Sequence, residues 1–180
     1  NIHETEIIKK HGYSQEVFDI FRERANSELL SIAFFGAFSS GKSFLISGLN
    51  DKIDFFEHEG RDQYAPLLPA SSRHTSSCPV AIEPLSNKKK KDRFWIWFEG
   101  AEDWEQKSPA IEAVIQAYVT DLPNAKTKRL SNKDRTRNVI KAKLGIASAK
   151  MKARLYDLPG VGAIGVNYEK TIHEFVEQAD

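Results

Sequence analysis

One eight-residue segment, 36–43, constrains the fold of this chain more than any other. Its sequence Gly-Ala-Phe-Ser-Ser-Gly-Lys-Ser fits the phosphate-loop pattern G-x-x-x-x-G-K-[ST] at every fixed position. A strand-like apolar run, 30–35, precedes it, and a helix-like run, 44–49, follows it. Backbone N–H groups in such a loop, together with the positive end of the helix dipole, can surround an anionic phosphate. The segment therefore predicts nucleotide binding.

The pattern assigns chemistry to two side chains of this phosphate loop. Lys42 is expected to reach the β- and γ-phosphates, and the Ser43 hydroxyl is expected to coordinate Mg²⁺, the predicted cofactor. Two of the predicted nucleotide-binding residues, Asp157 and Gly160, belong to a second motif described below. The full set is Gly36, Phe38, Ser39, Ser40, Gly41, Lys42, Ser43, Phe44, Asp157 and Gly160.

The composition is that of a soluble globular protein. The 180 residues are 41% hydrophobic and 28% charged, enough for one domain with a substantial core. No apolar run approaches membrane-spanning length, and no secretory signal is visible. The single cysteine, Cys78, cannot form an internal disulfide, which suits a reducing cytoplasm. We therefore expect a cytoplasmic protein.

Positive charge is concentrated in two stretches, although the net charge is only +1. Residues 122–154 hold eleven Lys and Arg against one acid, Asp134, and Lys88–Lys91 forms a second cluster. Such patches can attract phosphate-rich partners or acidic surfaces. Solvated loops and an exposed helix face are the simpler interpretation, and no nucleic-acid partner is expected.

Hydrophobic periodicity predicts a sequence of alternating elements. A long functional loop is expected over 51–79, and a β-hairpin is expected to pair 79–85 with 93–98. The tryptophans of that hairpin are interpreted as core or cross-strand residues, not as a base-stacking platform. Further elements are predicted from apolar spacing: helices over 14–29, 103–121 and 167–180, and strands over 142–149 and 150–156.

A second motif, Asp157-Leu158-Pro159-Gly160, matches D-x-x-G and follows a strand-like run. In phosphate-loop proteins an acid at the end of such a strand orients the hydrated Mg²⁺ beside the loop hydroxyl. Gly160 lets the backbone approach the γ-phosphate closely. A transporter-type ATPase would usually carry Asp-Glu at this strand end, so the pair of motifs favours a GTPase.

A switch loop should lie between the two motifs and supply a hydroxyl to Mg²⁺ while the γ-phosphate is present. Thr75 and Ser76 are the two candidates. Thr75 is the only threonine of this loop, whereas Ser76 lies three residues before Pro79. The predicted metal ligands are Ser43, Thr75 and Asp157.

These residues resemble the GTPase domain of dynamin-like proteins, and of their bacterial branch in particular. The resemblance rests on the Phe38-Ser39-Ser40 filling of the phosphate loop, the Pro-led switch loop with Thr75 and Ser76, and Asp157–Gly160. It implies a Ras-like α/β P-loop GTPase domain with a mixed, mostly parallel sheet flanked by helices, and a helical insertion before the strand that ends at Asp157. It also implies a helical segment over 1–28 and the N-terminal part of the GTPase domain over 29–180.

The resemblance further implies GTP hydrolysis coupled to homodimerisation across the nucleotide. Membrane remodelling or tethering would involve lipid-binding regions outside this chain, with a location peripheral to a membrane. The residue matching Ser39 would position the catalytic water or a monovalent cation, K⁺ or Na⁺. The implied catalytic residues are Lys42, Ser39, Thr75, Ser76 and Gly160.

Two departures from the family pattern concern specificity. Dynamins proper carry Gln where this chain has Phe38, so that side-chain amide is absent. The guanine-reading motif [NT]-K-x-D is expected after Asp180, because Asn132-Lys133-Asp134 lacks the spacer residue and precedes D-x-x-G. Two alternatives stay open: a nucleotide-gated scaffold with negligible hydrolysis, and another P-loop NTPase such as a kinase or ATPase.

Overall fold

The computed structural model describes residues 29–37, 40–70, 77–85, 91–120 and 130–160, and every structural statement below concerns these residues. Eight strands are present: β1 (Leu30–Phe34), β2 (Ile53–His58), β3 (Arg61–Pro66), β4 (Val80–Pro84), β5 (Arg93–Phe98), β6 (Glu105–Lys107), β7 (Val139–Ile146) and β8 (Ala153–Asp157). Three helices accompany them: α1 (Lys42–Leu49), α2 (Glu112–Val119) and α3 (Asn132–Arg135).

Six of the strands form one mixed sheet in the order β1-β8-β4-β7-β5-β6. The β1/β8 and β4/β7 pairs are parallel, whereas the β8/β4, β7/β5 and β5/β6 pairs are antiparallel. The strands β2 and β3 form a separate antiparallel hairpin. Strand β8, which carries the D-x-x-G aspartate at its end, therefore lies between the strand that enters the phosphate loop and β4.

The hydrophobic core lies on one face of the six-stranded sheet. Strand β5 alternates, with Phe94, Ile96 and Phe98 fully buried on this face and its two tryptophans half-buried on the other. Helices α1 and α2 cover the core face, where Ile46 and Ile115 are completely buried. Burial of these side chains is the main stabilising contribution, on the order of 1.5–3 kcal/mol for each large apolar group.

The predicted Ras-like α/β class is wrong for the described part of the chain. Strands account for 42% of these residues and helices for only 18%. Three of the five neighbouring strand pairs in the sheet are antiparallel, so the sheet is not mostly parallel. Between β5 and β8, where a helical insertion was expected, the described residues form the strands β6 and β7 and two helices of eight and four residues.

Local patterning also predicted one wrong strand pairing and missed another pairing. Strands β4 and β5 are not hairpin partners, because β7 lies between them and hydrogen-bonds to both. The expected loop over 51–79 contains the β2–β3 hairpin, which turns at Glu59-Gly60 with positive φ at both residues, 52° and 72°. Its sequence signal was the glycine of the two-residue turn.

Other predicted elements agree in part. The strand predicted over 142–149 is β7. In the helix predicted over 103–121 only α2 is helical, and the strand β6 lies in its first part. The helices predicted over 14–29 and 167–180, and the segment 1–28, lie outside the described residues. Within the described part, no helix is both long enough and apolar enough to cross a membrane.

A partly buried polar cluster holds the α2–α3 region against the sheet. The Tyr118 hydroxyl donates to Asp134 Oδ2 at 2.8 Å, and Lys107 Nζ donates to the same oxygen at 3.0 Å. Arg137 pairs with Glu105 at 2.6 Å and approaches Asp134 at 3.6 Å. Asp134 is only 8% exposed, so its charge depends on these partners.

The ionisation of this cluster follows from its contacts. Burial acts to raise the pKa of Asp134, but hydrogen bonds from Lys107 and Tyr118 outweigh it and lower that pKa below its ordinary value. The hydrogen bond from Arg137 likewise lowers the pKa of Glu105. Burial and the bond to Asp134 raise the pKa of Tyr118 far above its ordinary value, so Tyr118 remains a donor at neutral pH.

Replacement of Asp134 by Asn should reveal this cluster in the pH dependence of stability. The Asp134 pKa is lower in the folded state, so its stabilisation is complete above about pH 4 and is lost as the pH falls through the folded-state pKa. Asp134→Asn should lower the free energy of unfolding by about 3 kcal/mol at neutral pH and flatten its decline in acid. Urea titrations between about pH 3 and 7 measure both effects. The exposed control Glu102→Gln should leave the profile unchanged, and a wild-type profile in Asp134→Asn would contradict the assignment.

Gly145 should be required for packing on the second face of the sheet. A Cβ at this position would lie 2.5 Å from Leu85 Cδ2, 2.8 Å from Leu85 Cγ and 3.1 Å from Trp95 Cζ3. Gly145→Ala should therefore lower the free energy of unfolding by about 1–3 kcal/mol, measured by urea titration. In a Leu85→Ala background the same substitution should cost clearly less, since the clashing side chain is gone. Equal costs in the two backgrounds would contradict this explanation.

Candidate functional site

Three strand ends meet at one edge of the sheet and carry the motifs found in the sequence. In the β1/β8 pair Phe34 lies opposite Asp157, and in the β4/β8 pair Val80 lies opposite the same Asp157. The phosphate loop leaves β1 just after Phe34, and the segment that precedes β4 contains the switch candidates. The registers of two strand pairs therefore bring the phosphate loop, the D-x-x-G motif and the end of the switch segment together.

A direct hydrogen bond joins the two motifs. The Ser43 hydroxyl donates to Asp157 Oδ2 at 2.6 Å, although the two residues are 114 positions apart in the chain. Asp157 is 1% exposed, and its carboxylate lies at the start of α1. Sequence patterns predicted both side chains, and the structure brings them into contact.

The backbone of the phosphate loop depends on its glycines. Gly41 has φ 82° and ψ 12°, a left-handed conformation that strains other residues, and it caps the N-terminus of α1. A Cβ at Gly36, whose φ is 156°, would approach Ser40 Oγ to 3.3 Å. Helix α1 begins without a side-chain cap and without an acidic residue in its first turn. No carboxylate of the helix itself therefore competes for its first N–H groups, which favours the binding of an anion there.

Lys42 lies across the phosphate loop. Its Nζ donates to the carbonyl oxygens of Gly36 at 3.2 Å and Ala37 at 3.0 Å, and it contacts Ser40 Oγ at 3.4 Å. The ammonium group is therefore held at the loop, with oxygen acceptors that phosphate oxygens can replace. Lys42 and Ser40, both predicted nucleotide-binding residues, therefore lie in contact within this loop.

The switch segment is anchored where its described part begins. Ser77 donates to the Val119 carbonyl from both its backbone N–H, at 2.6 Å, and its hydroxyl, at 3.1 Å. Cys78 follows and is 2% exposed, and β4 then starts beside Asp157. The candidates Thr75 and Ser76, like Phe38 and Ser39 of the phosphate loop, lie outside the described residues.

The remaining predicted residues lie beside these groups. Gly160 is buried three residues after Asp157, at the end of the described chain. Phe44, the third residue of α1, contacts Tyr64 of β3 in an edge-to-face arrangement with ring centroids 5.2 Å apart. Sequence analysis did not identify Tyr64, because 51–79 was interpreted as a loop and its β-hairpin signal was missed.

Asp134, the last residue of the tripeptide Asn132-Lys133-Asp134, is buried and hydrogen-bonded within the protein. Its carboxylate accepts hydrogen bonds from Tyr118 and Lys107, and its backbone N–H is capped by Ser131 Oγ at 3.2 Å. The carboxylate of Asp134 is therefore engaged within this cluster.

The oxygens at Ser43 and Asp157 fit a magnesium ion that is held jointly with phosphates. Mg²⁺ prefers hard oxygen ligands and is usually bound through one or two protein groups plus substrate phosphates. Ser43 and Asp157 supply a hydroxyl and a carboxylate within 2.6 Å of each other. No group of three or more His, Cys, Asp or Glu side chains placed to hold a metal occurs among the residues with described positions.

Comparisons with protein families and with curated proteins found no match. No protein-family model matches the sequence, and no curated protein is significantly similar to it. The functional argument therefore depends on the residues and contacts described above.

Proposed function

We propose that this chain binds GTP with Mg²⁺ and hydrolyses it to GDP and phosphate, as the nucleotide-binding part of a dynamin-like protein. The observation that carries the proposal is the 2.6 Å contact between Ser43 and Asp157. A phosphate-loop hydroxyl and a D-x-x-G carboxylate brought together across 114 residues are the two groups that organise Mg²⁺ in GTP-hydrolysing sites. Chance occurrence of either short pattern would not place them in contact.

The chemistry proposed for the chain is mainly positioning and electrostatic stabilisation. The loop N–H groups and the Lys42 ammonium would balance negative charge on the β- and γ-phosphates. Bound Mg²⁺ would supply Lewis-acid neutralisation of charge at the phosphates, held by Ser43 and Asp157. The N–H of Gly160 and a hydroxyl from Thr75 or Ser76 would respond to the γ-phosphate. Ser39, with K⁺ or Na⁺, would help to hold the attacking water in line.

Self-association across the nucleotide belongs to the same proposal and rests on the resemblance to dynamin-like proteins. In that arrangement a second copy completes the site, so the turnover of each molecule depends on protein concentration. Membrane tethering or remodelling would require regions outside this chain, and a cytoplasmic location at a membrane surface is part of the proposal. Guanine recognition rests on the D-x-x-G motif and the resemblance.

Turnover assays with GTP and ATP test the proposal. Purified protein with Mg²⁺ and K⁺ should release phosphate from GTP and not from ATP, and the rate per molecule should rise with protein concentration. Phosphate release and nucleotide binding are measured on the same samples. Tight GTP binding without turnover at any concentration would instead support a nucleotide-gated scaffold, and preference for ATP would identify another P-loop NTPase.

The substitution Lys42→Ala tests whether turnover takes place at this site. It should reduce turnover about 100-fold, because one charge-stabilising group is removed from the phosphates. Lys133→Ala is the matched control, since Lys133 is exposed on α3 within the rejected Asn-Lys-Asp tripeptide. It should leave turnover and GTP preference unchanged. Full activity of Lys42→Ala would exclude the phosphate loop as the active site.

Ser43 variants test the magnesium assignment. Ser43→Ala removes the hydroxyl that contacts Asp157 and should raise the Mg²⁺ concentration for half-maximal turnover about tenfold or more. Ser43→Thr retains a hydroxyl in the position that the motif allows and should stay close to wild type. Mg²⁺ titrations of GTP turnover make the comparison. An unchanged Mg²⁺ requirement in Ser43→Ala would mean that this hydroxyl does not serve the metal.

A further inference from the structure

The β2–β3 hairpin carries an exposed aromatic and acidic surface that the nucleotide site does not use. Phe55, Phe56 and Tyr64 are 77%, 50% and 59% exposed. Phe55 and Tyr64 lie opposite each other on one face of the hairpin, and Phe56 lies on the other face. Exposed aromatic side chains grouped on a small element usually mark an interaction surface. Four exposed acids accompany them, with only Arg61 and His58 as basic residues on the same strands and turn: Asp54, Glu57, Glu59 and Asp62. We call this the hairpin surface.

Charge argues against pairing of two hairpin surfaces with each other. Glu57 lies opposite Asp62 within the hairpin, so like charges are already adjacent. Pairing of two such faces would bring the Glu57 and Asp62 carboxylates of both copies together. The complementary partner of the hairpin surface is therefore basic and carries apolar area.

The second face of the six-stranded sheet offers such a surface. Three half-buried tryptophans, Trp95, Trp97 and Trp104, interleave with two lysines on β7. Lys141 Nζ lies 4.5 Å from the Trp97 ring centroid, and Lys143 Nζ lies 5.1 Å from the rings of both Trp95 and Trp104. We call this arrangement the Trp–Lys face.

The Trp–Lys face has an excess of positive charge. The four strands β4, β5, β7 and β8 place four cations on it, Arg93, Lys141, Lys143 and Arg154. Their one acid on this face, Glu83, already contacts Arg154 at 3.1 Å and Lys143 at 3.8 Å. Aromatic rings with attached cations are suited to accept both the phenyl groups and the carboxylates of the hairpin surface.

The two surfaces belong to opposite sides of the molecule. The hairpin packs on α1 through Tyr64 and Phe44, and α1 covers the core face of the sheet. Residues of the Trp–Lys face alternate along β5 and β7 with buried core residues, so they point away from α1. The two surfaces of one molecule can therefore bind different neighbours at once. Such a contact is heterologous, or head-to-tail, and it can link molecules into rows.

We propose that the hairpin surface of one copy docks on the Trp–Lys face of a second copy. This contact is separate from the proposed dimerisation across the nucleotide and does not require hydrolysis. It gives the chain two association surfaces of unlike chemistry that can link copies in a row.

Sedimentation velocity without nucleotide tests the contact. Wild-type protein should associate in a concentration-dependent manner, more weakly at high salt because the paired charges are screened. Phe55→Ser/Phe56→Ser changes only exposed side chains and should weaken association about tenfold or more. Lys141→Glu/Lys143→Glu should do the same, and the neutral Lys141→Gln/Lys143→Gln pair repeats the test with less disturbance of folding. Circular dichroism and the thermal midpoint check that each variant is folded.

A mixing experiment distinguishes this contact from every symmetric one. The hairpin variant keeps an intact Trp–Lys face, and the face variant keeps an intact hairpin. Each should be monomeric alone, but an equimolar mixture should form 1:1 heterodimers and nothing larger. The controls Ile111→Ser, which removes another exposed apolar group, and Lys150→Glu/Lys152→Glu, which makes the same change in net charge, should associate like wild type.

Three outcomes would overturn the proposal: a wild-type protein that stays monomeric, variants that associate as well as wild type, or a mixture that forms no heterodimer. Repeating the series in the Lys42→Ala background keeps the two proposals separate. Association that is retained there while GTP turnover is lost supports the contact independently. Failure of GTP turnover in wild type leaves the mixing result unaffected.

Discussion

The contact between Ser43 and Asp157 depends on strand register, and the rest of the site depends on that contact. Asp157 ends the strand between β1 and β4, so its carboxylate is buried at the point where the phosphate loop begins. A shift of one residue in either pairing would turn Asp157 to the other face of the sheet. The hydrogen bond to Ser43 then holds the first turn of α1 against β8.

Helix α1 and the residues that follow it connect this site to other parts of the molecule. Its Ser47 hydroxyl accepts the Leu68 N–H at 3.1 Å, which fixes the chain that leaves the hairpin. Lys52, two residues beyond the Asn50 cap, pairs with Asp92 at 2.7 Å, and Asp92 in turn accepts the N–H of Ala147. Through these bonds one short helix connects the phosphate loop, the hairpin surface and the central strands. The proposed association through the hairpin and the proposed nucleotide binding would thus share a structural element, while their chemistry stays separate.

Patterns within short segments predicted the parts of the site that are local in sequence. The phosphate loop, helix α1, the run that became β8 and the aspartate at its end were all predicted, because each depends on spacing within ten residues or fewer. The pairing of 79–85 with 93–98 was wrong, since β7 comes from more than forty residues further along the chain and inserts between them. The parallel sheet was expected from resemblance, yet strand direction is decided by how connections cross the sheet. The β2–β3 hairpin was missed because its exposed aromatics weaken the alternation that normally identifies a half-buried strand.

The sequence by itself determined which groups are available: a glycine-bounded loop with Lys42 and Ser43, an aspartate at a strand end, and surfaces rich in tryptophan, lysine and carboxylates. Only the tertiary structure decided which of these groups meet. Ser43 reaches Asp157 across 114 residues because two strand registers and the packing of α1 agree. Trp95, Trp104 and Lys143 form one face because β7 pairs with β5. Such contacts depend on burial and hydrogen bonding between distant segments, and no local pattern of residues encodes them.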